Sequence, residues 1–307
     1  MTDIVGKRFW FFLASGIVIL FCIISLANFG LKRGIELSSG SMLTVNFEQT
    51  VTEADLKQEL TSLGYTGAII QRTGEGNFLI RTGELTGEAK TALEDALGAK
   101  FGPITESEFH SVSPMVGSET FRNAIWAILA AGGGILLYIT WAFRKMPNPF
   151  RYGTCAIIAL THDTLVAVGI FSFLGGTLGW EINLMFITGI LAVVGYSVNN
   201  TVVVFDRIRE NLSRGISTNF EVVVNTSLVE TLSRSLNTSL TTLFVVLALL
   251  LFVGASIQNF AVVLLIGIVA GTFSSLCIAP NLLIIWERGE WGRLFKRPQL
   301  VAKTKSQ

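Results

Sequence analysis

Charged residues are scarce in this chain of 307 residues, since Asp, Glu, Lys and Arg make up 15% of it while hydrophobic residues make up 50%. Soluble domains average about 25% charged residues. A water-soluble fold of this size would lack polar surface, so the composition indicates a membrane protein. The net charge of +1 argues against a nucleic-acid-binding surface, and no nucleic acid is expected as a partner.

Cysteine and histidine are also rare. Cys22, Cys155 and Cys277 lie inside apolar runs and far from any CxxC spacing, which favours small buried hydrophobic residues over disulfides or metal ligands. His110 and His162 are too few and too distant in sequence to suggest a zinc site. Because no nucleophile–base set or metal cluster is visible, we expect no cofactor and no enzymatic activity.

Long apolar runs dominate what remains. A span of about 20 apolar residues crosses the hydrocarbon core of a bilayer. Such runs recur at 9–29, 123–143, 152–176, 182–205, 232–254 and 259–286. The first run is too long for a signal-peptide core and is not followed by an A-x-A-like cleavage site, so it predicts a retained helix. The fold class is therefore a polytopic α-helical membrane protein with six transmembrane helices.

The remaining sequence divides around these helices. We expect an N-terminus with the first helix at 1–29, an extracytoplasmic domain at 30–121, five more helices at 122–287 and a basic cytoplasmic tail at 288–307. Lys and Arg cluster before the first run, in the second and fourth connections and in the tail, but are absent from the third and fifth connections. Basic residues mark the cytoplasmic side of short loops. Both termini are therefore predicted to be cytoplasmic.

The segment at 30–121 has the pattern of a small α+β domain. Strands are predicted at 41–48, 68–72, 77–82 and 104–112, and helices at 52–63 and 86–97. Thr52 is a candidate N-cap, with Asp55 placed to complete a capping box. The order β-α-β-β-α-β is typical of the ferredoxin-like arrangement. An interaction or gating module is favoured here over catalysis, because no acid–base pair or nucleophile is visible.

Polar residues inside the apolar runs are costly, at about 2.5–3.5 kcal/mol for a charge near the membrane centre on insertion scales. His162 and Asp163 interrupt the third run. They form either part of a polar path or a packing pair satisfied by neighbouring helices.

The fourth and fifth runs predict a polar seam between their helices. Ser197 and Asn200 share a helix face, next to Asn199, and Glu230 is placed to pair with Arg234 at i,i+4. A polar stripe continues from this arginine along the fifth run at Asn237, Thr238 and Thr241. The stripe favours an intramembrane arginine over one that reaches back to the membrane surface. Gly267 and Gly271 predict close helix packing.

One long motif lies at the end of the fourth run. The segment 195–211 reads G-Y-S-V-N-N-T-V-V-V-F-D-R-I-R-E-N, beginning with Gly195 and Tyr196 and including Asp206 and Arg207. It resembles the fourth-helix motif of the SecF family of protein-export subunits, within the resistance-nodulation-division superfamily. Three weaker segments agree with this family: S-R-S-L-N-T-S at 233–239, L-T-H-D at 160–163 and G-I-E-L-S-S-G at 34–40, which contains Gly34, Glu36 and Gly40.

The resemblance implies a fold, a location and partners. It implies a subunit of the bacterial cytoplasmic membrane that packs against SecD in a pseudo-symmetric pair. It also implies action with the SecYEG channel, SecA, the translocating preprotein and YajC/YidC. Proton or sodium flow would move the outer domains and promote preprotein export.

Two departures from the family pattern leave alternatives open. Asn200 stands where the family usually has the aspartate proposed to take part in ion coupling beside an arginine, here Arg234, and Glu36 and Ser39 replace the usual Asp and Gly. The asparagine makes a non-transducing scaffold for SecD a possible role. Half of a small-molecule or lipid exporter is another alternative, although the small outer domain leaves little room for a drug-binding pocket.

Overall fold

The computed structural model describes residues 3–72, 76–252 and 257–289, apart from the side chains at 106 and 107. The chain divides into two compact units. The first unit, called the helical unit below, comprises 1–32, 127–180 and 185–307, and the second, called the outer unit, comprises 33–126 and 181–184. The predicted basic tail lies outside the described residues from position 290 onward.

The outer unit contains a four-stranded sheet with short helices between its strands. The strands are β1 (Gly40–Phe47), β2 (Ile69–Arg72), β3 (Phe78–Thr82) and β4 (Ile104–Val112), and the helices are α2 (Ile35–Ser38), α3 (Glu53–Ser62) and α4 (Gly87–Phe101). The strand order in the sheet is β2-β3-β1-β4, with every neighbouring pair antiparallel. Helices α3 and α4 each connect two strands that are not adjacent in the sheet.

Local sequence explains these elements. The Thr52 Oγ1 accepts a hydrogen bond from the Asp55 amide at 3.2 Å, which caps α3. The Asp55 carboxylate accepts from the Thr52 hydroxyl at 2.6 Å, so the predicted reciprocal bond runs to the side chain of Thr52. Strand β1 alternates buried and half-buried residues, and its buried side packs with the fully buried Leu56 and Leu97 of the two helices. This apolar layer gives the outer unit a core of its own.

Six helical segments are long and apolar enough to cross a membrane. Their helices are α1 (Arg8–Phe29, preceded by a 3-10 turn at Val5–Lys7), α5 (Pro114–Ala142), α6 (Pro149–Leu178), α7 (Leu184–Ser213), α8 (Phe220–Phe252), α9 (Gln258–Cys277) and α10 (Ala279–Arg288). Helices α5 and α8 begin well before the predicted runs at 123 and 232. Backbone hydrogen bonding continues through polar turns that a hydropathy pattern leaves out.

The sixth predicted run is a broken helix. Helices α9 and α10 are separated at Ile278, two residues before Pro280. Proline lacks an N–H and clashes with the carbonyl four residues earlier, which explains the break. The buried Asn281 donates from Nδ2 to the Cys277 carbonyl oxygen at 2.7 Å and so satisfies a backbone group left free there.

Small residues let the helices of the helical unit approach closely. A Cβ added at Gly267 of α9 would lie 2.0 Å from Val193 Cγ2 of α7, and one at Gly271 would lie 3.0 Å from Ser197 Cβ. The predicted packing role of this glycine pair is confirmed. Gly169 of α6 likewise leaves no room for a methyl group, because its Cβ would lie 2.2 Å from Cys22 Cβ of α1.

Candidate functional site

Asp163 lies halfway along α6, and its side chain has no exposed surface. Its Oδ2 accepts hydrogen bonds from the Ser197 hydroxyl of α7 at 2.5 Å and from the Ser274 hydroxyl of α9 at 2.7 Å. Its Oδ1 lies 2.9 Å from Nδ1 of His162. One carboxylate therefore joins three helices. The burial of His162 and Asp163 is compatible with both alternatives left open by the sequence, a packing pair and part of a polar path.

A second polar contact lies nearby on α7. Asn200 is 2% exposed, and its Nδ2 donates to Ser239 Oγ of α8 at 3.2 Å. Thr272 of α9 donates to the same oxygen at 2.6 Å. Since Ser197 and Asn200 are separated by one turn of α7, the two sets form one buried polar seam. We define this seam as Asp163, His162, Ser197, Ser274, Asn200, Ser239 and Thr272.

The sequence identified only part of this seam. Ser197 and Asn200 were predicted in a seam, and His162 and Asp163 in a polar path or packing pair, whereas Ser239, Ser274 and Thr272 were missed. For Ser274 the sequence does contain an indication. Gly267, Gly271 and Ser274 have the spacing i, i+4, i+7, so the serine shares the tightly packed face of α9.

The predicted pairing of Glu230 with Arg234 is wrong. Glu230 Oε2 accepts from Arg207 Nε and from Asn211 Nδ2, each at 2.7 Å. Asn211 is buried and also donates to Ser227 Oγ at 3.0 Å, so it ties the C-terminal end of α7 to α8. Arg207 lies on the adjacent helix α7, whereas the side chain of Arg234 is exposed, so the contact between the helices replaces the pairing along α8.

Arg234 lies on the exposed side of α8, away from the seam. Asn237, Thr238 and Thr241 are exposed on the same side, while Ser235 and Ser239 face the helical unit and are buried. Within the described part of the chain Arg234 has no ion-pair partner. Helix α8 therefore carries polar residues on two sides, with Arg234 on the exposed side and Ser239, the hydrogen-bond partner of Asn200, on the buried side.

The other motif residues of α7 take different positions. Asn199 and Gly195 are exposed, so neither belongs to the buried seam. Tyr196 packs against apolar residues of α8 and α9. Asp206 is exposed and pairs with Arg209 at 2.5 Å, on the polar end of the helix. The motif covers all faces of α7. Which of its residues are buried depends on the positions of the neighbouring helices, so the sequence alone does not separate buried from exposed motif residues.

The segment 34–40 lies in the outer unit and contacts the start of α7. The Gly34 amide donates to the Ile182 carbonyl oxygen at 2.7 Å. The Glu36 Oε2 accepts from the Leu184 amide at 2.7 Å, where a carboxylate is favoured at a helix N-terminus. Gly40 has φ +125°, and a Cβ there would lie 2.6 Å from the Thr82 carbonyl oxygen. Glu36 therefore keeps an acceptor at this position despite the departure from the family pattern.

The described residues contain no group of three or more His, Cys, Asp or Glu side chains that could hold a metal ion. What the seam offers is one carboxylate, one imidazole and several hydroxyl and amide groups, all inside a helix bundle. Such a set can hold helices together and can take up or release a proton, since Asp and His both titrate whereas Asn, Ser and Thr do not.

Two family models match the chain. The model described as "Protein export membrane protein SecD/SecF, C-terminal" matches residues 92–289, and that of the "SecD/SecF GG Motif" matches 24–51. Among curated relatives, the protein translocase subunit SecF of Thermobaculum terrenum is 44% identical, with 97% of this chain and 98% of the relative covered. That of Anaerolinea thermophila is 40% identical, with the same shares covered.

Solved structures agree with these matches. The crystal structure of SecDF, a translocon-associated membrane protein from Thermus thermophilus, is 31% identical with a TM-score of 0.81. The match covers 94% of this chain and 39% of that one. SecDF in its super-membrane-facing form gives a TM-score of 0.67 at 30% identity. With a family model over most of its length and relatives above 30% identity over nearly all of it, the chain belongs to the SecF family of protein translocase subunits.

Proposed function

We propose that this chain is an accessory subunit of the Sec protein translocase that acts with SecD and uses the proton gradient to promote preprotein export. It would do so in the bacterial cytoplasmic membrane with both termini in the cytoplasm. The placement of basic residues in the second and fourth connections supports this orientation. The family membership supports the role in translocation.

The exposed polar side of α8 is the observation that carries the proposal. Arg234, Asn237, Thr238 and Thr241 are exposed on α8, whose most apolar stretch of 18 residues has a mean hydropathy of 2.0. Polar side chains that face lipid are costly, up to about 2.5–3.5 kcal/mol for an arginine at the membrane centre, and Arg234 lies within the predicted run at 232–254. A second membrane subunit that supplies a carboxylate and hydrogen-bond partners would remove this cost. The chain is therefore incomplete as a monomer, and SecD is the partner that its family membership favours.

The outer unit would be an extracytoplasmic, ferredoxin-like domain at about 30–121. The strand order β2-β3-β1-β4 with two helical crossovers supports this arrangement. Its core of Leu56, Leu97 and their neighbours supports independent folding. Such a domain would contact the emerging preprotein, while the helical unit with SecD would act beside SecYEG, SecA and YajC/YidC.

Co-purification tests the proposed partnership. We expect tagged chain and SecD, expressed together, to be recovered as a complex, and the chain alone to be degraded rapidly. Arg234→Ala should lower SecD recovery several-fold. Arg144→Ala is the matched control, because this exposed arginine follows the end of α5 and stacks on Trp141 at 4.4 Å. A long-lived monomer in mild detergent, or equal SecD recovery with both variants, would contradict the proposal.

A non-transducing scaffold is the second candidate, and Asn200 favours it. The side-chain amide of Asn200 does not titrate, and its Nδ2 already donates a hydrogen bond to Ser239 Oγ. The two candidates differ in the ion dependence of export. An active subunit makes export depend on the gradient, whereas a scaffold restores SecD levels without adding gradient dependence of its own.

A further inference from the structure

The pair of His162 and Asp163 is the titratable group at the middle of the helical unit. We propose that this pair is a proton-binding site of the chain, with His162 Nε2 as the atom that takes up the proton. This proposal rests on the proposed function for its role in export, but the site itself stands on geometry. It would place a protonation step in this subunit even though position 200 is asparagine.

The hydrogen bonds around Asp163 fit an ionised carboxylate. Its Oδ2 receives two hydroxyl donors, from Ser197 and Ser274, and its Oδ1 faces His162 Nδ1. An ionised carboxylate only accepts hydrogen bonds, and all three contacts suit that form. Nδ1 of His162 then carries the hydrogen and donates it to Asp163. The neutral imidazole is thereby left with an unprotonated Nε2.

Nε2 of His162 is buried and has no hydrogen-bond partner among the described residues. The side chain is 11% exposed, and its ring lies 6.5 Å from the ring of Phe273 on α9. Nε2 is therefore free to bind a proton, and proton uptake there changes the pair from a net charge of −1 to neutral. A neutral pair is less costly to bury than an unbalanced carboxylate. The new N–H then faces the same pocket, in which no described residue accepts a hydrogen bond from it.

The apolar stretches of α1, α7 and α9 offer no other charge to balance the carboxylate, and the charged end of α10 pairs through Glu287 with Arg151, outside the apolar stretch of α6. Asp, Glu, Lys and Arg are absent from 9–29 of α1, 184–205 of α7 and 258–277 of α9, and Asp163 is the only such residue at 152–178 of α6. From α1 the titratable neighbour on this packing surface is Cys22, whose Sγ donates to the Val166 carbonyl oxygen at 3.8 Å. Arg234 is on the opposite, exposed side of α8. The proton on His162 is therefore the available counter-charge.

A sodium ion fits the same atoms less well. Sodium needs oxygen lone pairs directed at it, as hard cations do. Three hydrogen bonds already converge on the two carboxylate oxygens of Asp163, whereas His162 Nε2, a nitrogen, has no partner among the described residues. The two hydroxyl donors come from α7 and α9, so a change of charge on the pair is felt by both helices. This links protonation to the packing of the seam.

Nitrogen NMR on a single histidine tests the site directly. The chain has two histidines, and His110 is exposed on β4, so His110→Gln leaves His162 alone without touching the helical unit. The variant, labelled with ¹⁵N-histidine, would be made by cell-free synthesis into nanodiscs that contain unlabelled SecD. At pH 9 we expect an unprotonated Nε2 and a protonated Nδ1, and at pH 5 we expect both nitrogens protonated.

Three results would overturn the proposal: a ring that stays neutral from pH 9 to pH 5, an Nε2–H tautomer at pH 9, or a signal that responds to sodium at constant pH. In Asp163→Asn with His110→Gln the imidazolium has no counter-ion, and the ring should stay neutral over the same range. Ser274→Ala keeps the charge and should keep the titration. The NMR experiment measures protonation and not export. If His162 titrates but export by this chain does not depend on the gradient, the proposed function is refuted while the proton-binding site stands.

Discussion

Ser39→Gly should stabilise the segment that contacts the start of α7. Ser39 has φ +123° and ψ +165°, a region that is essentially restricted to glycine. Its amide donates to the Ile35 carbonyl oxygen at 2.9 Å, so the turn at the end of α2 holds this conformation in place. Gly117 of α5 packs against the same turn, and a Cβ there would lie 2.9 Å from the Ser38 carbonyl carbon.

The size of the effect follows from two opposing terms. A non-glycine residue in this region costs about 1–3 kcal/mol. Glycine adds about 0.4–1 kcal/mol of conformational entropy to the unfolded chain, which offsets part of the gain. The net stabilisation is therefore about 1 kcal/mol. In local opening measured by hydrogen exchange, this corresponds to protection about five times higher, since about 1.4 kcal/mol is tenfold.

Hydrogen exchange on the full chain with SecD provides the assay, read on peptides that cover 35–47. Ser38→Gly is the matched control. Ser38 lies within α2 and donates from Oγ to the Gly34 carbonyl oxygen at 2.9 Å, so its loss should speed exchange. Equal or faster exchange in Ser39→Gly would refute the reasoning, because it would mean that the conformation of Ser39 carries no strain.

Three further predictions concern the two units. Glu36→Ala should destabilise the first turn of α7 by about 0.5–2 kcal/mol, and Glu36→Gln should destabilise it by less. Both effects would be measured as faster amide hydrogen exchange in that turn. Unchanged exchange would mean that the carboxylate does not cap the helix. Gly267→Ala should lower the thermal stability of the complex by about 1–3 kcal/mol, whereas Gly16→Ala, with open space at its Cβ, should not. The excised segment 30–121 should unfold cooperatively on heating, and Leu97→Ala should lower its free energy of unfolding by about 2–5 kcal/mol. A random-coil circular dichroism spectrum of the segment would contradict this prediction.

The outer unit was predicted well from the sequence because its signals are local. The strand at 104–112 has the predicted bounds, and β1, β2 and β3 begin within one residue of their predictions. Thr52 lies at the N-terminus of α3, where its side chain can cap only that helix. Alternation, capping and turn chemistry all depend on neighbours within a few residues, so they can be read without knowing the tertiary structure.

The polar seam was predicted only in part because it depends on helix rotation. Glu230 and Arg234 have the spacing of an ion pair. In the structure Glu230 instead pairs with Arg207 of α7, and Arg234 is exposed. Asn199 and Asn200 are adjacent in sequence, yet Asn199 is exposed and Asn200 is buried. Hydropathy places a helix in the membrane but leaves its rotation undetermined, so buried partners such as Ser274 require the packed structure.

The central claim is that this chain, together with SecD, makes export depend on the proton gradient through Asp163. Preprotein export into inverted membrane vesicles that contain both subunits, measured with and without the gradient, tests it most directly. Asp163→Asn should abolish the stimulation by the gradient while SecD still co-purifies, and the exposed Asn199→Ala should leave the stimulation unchanged. Full stimulation in Asp163→Asn, with the complex intact, would contradict the account.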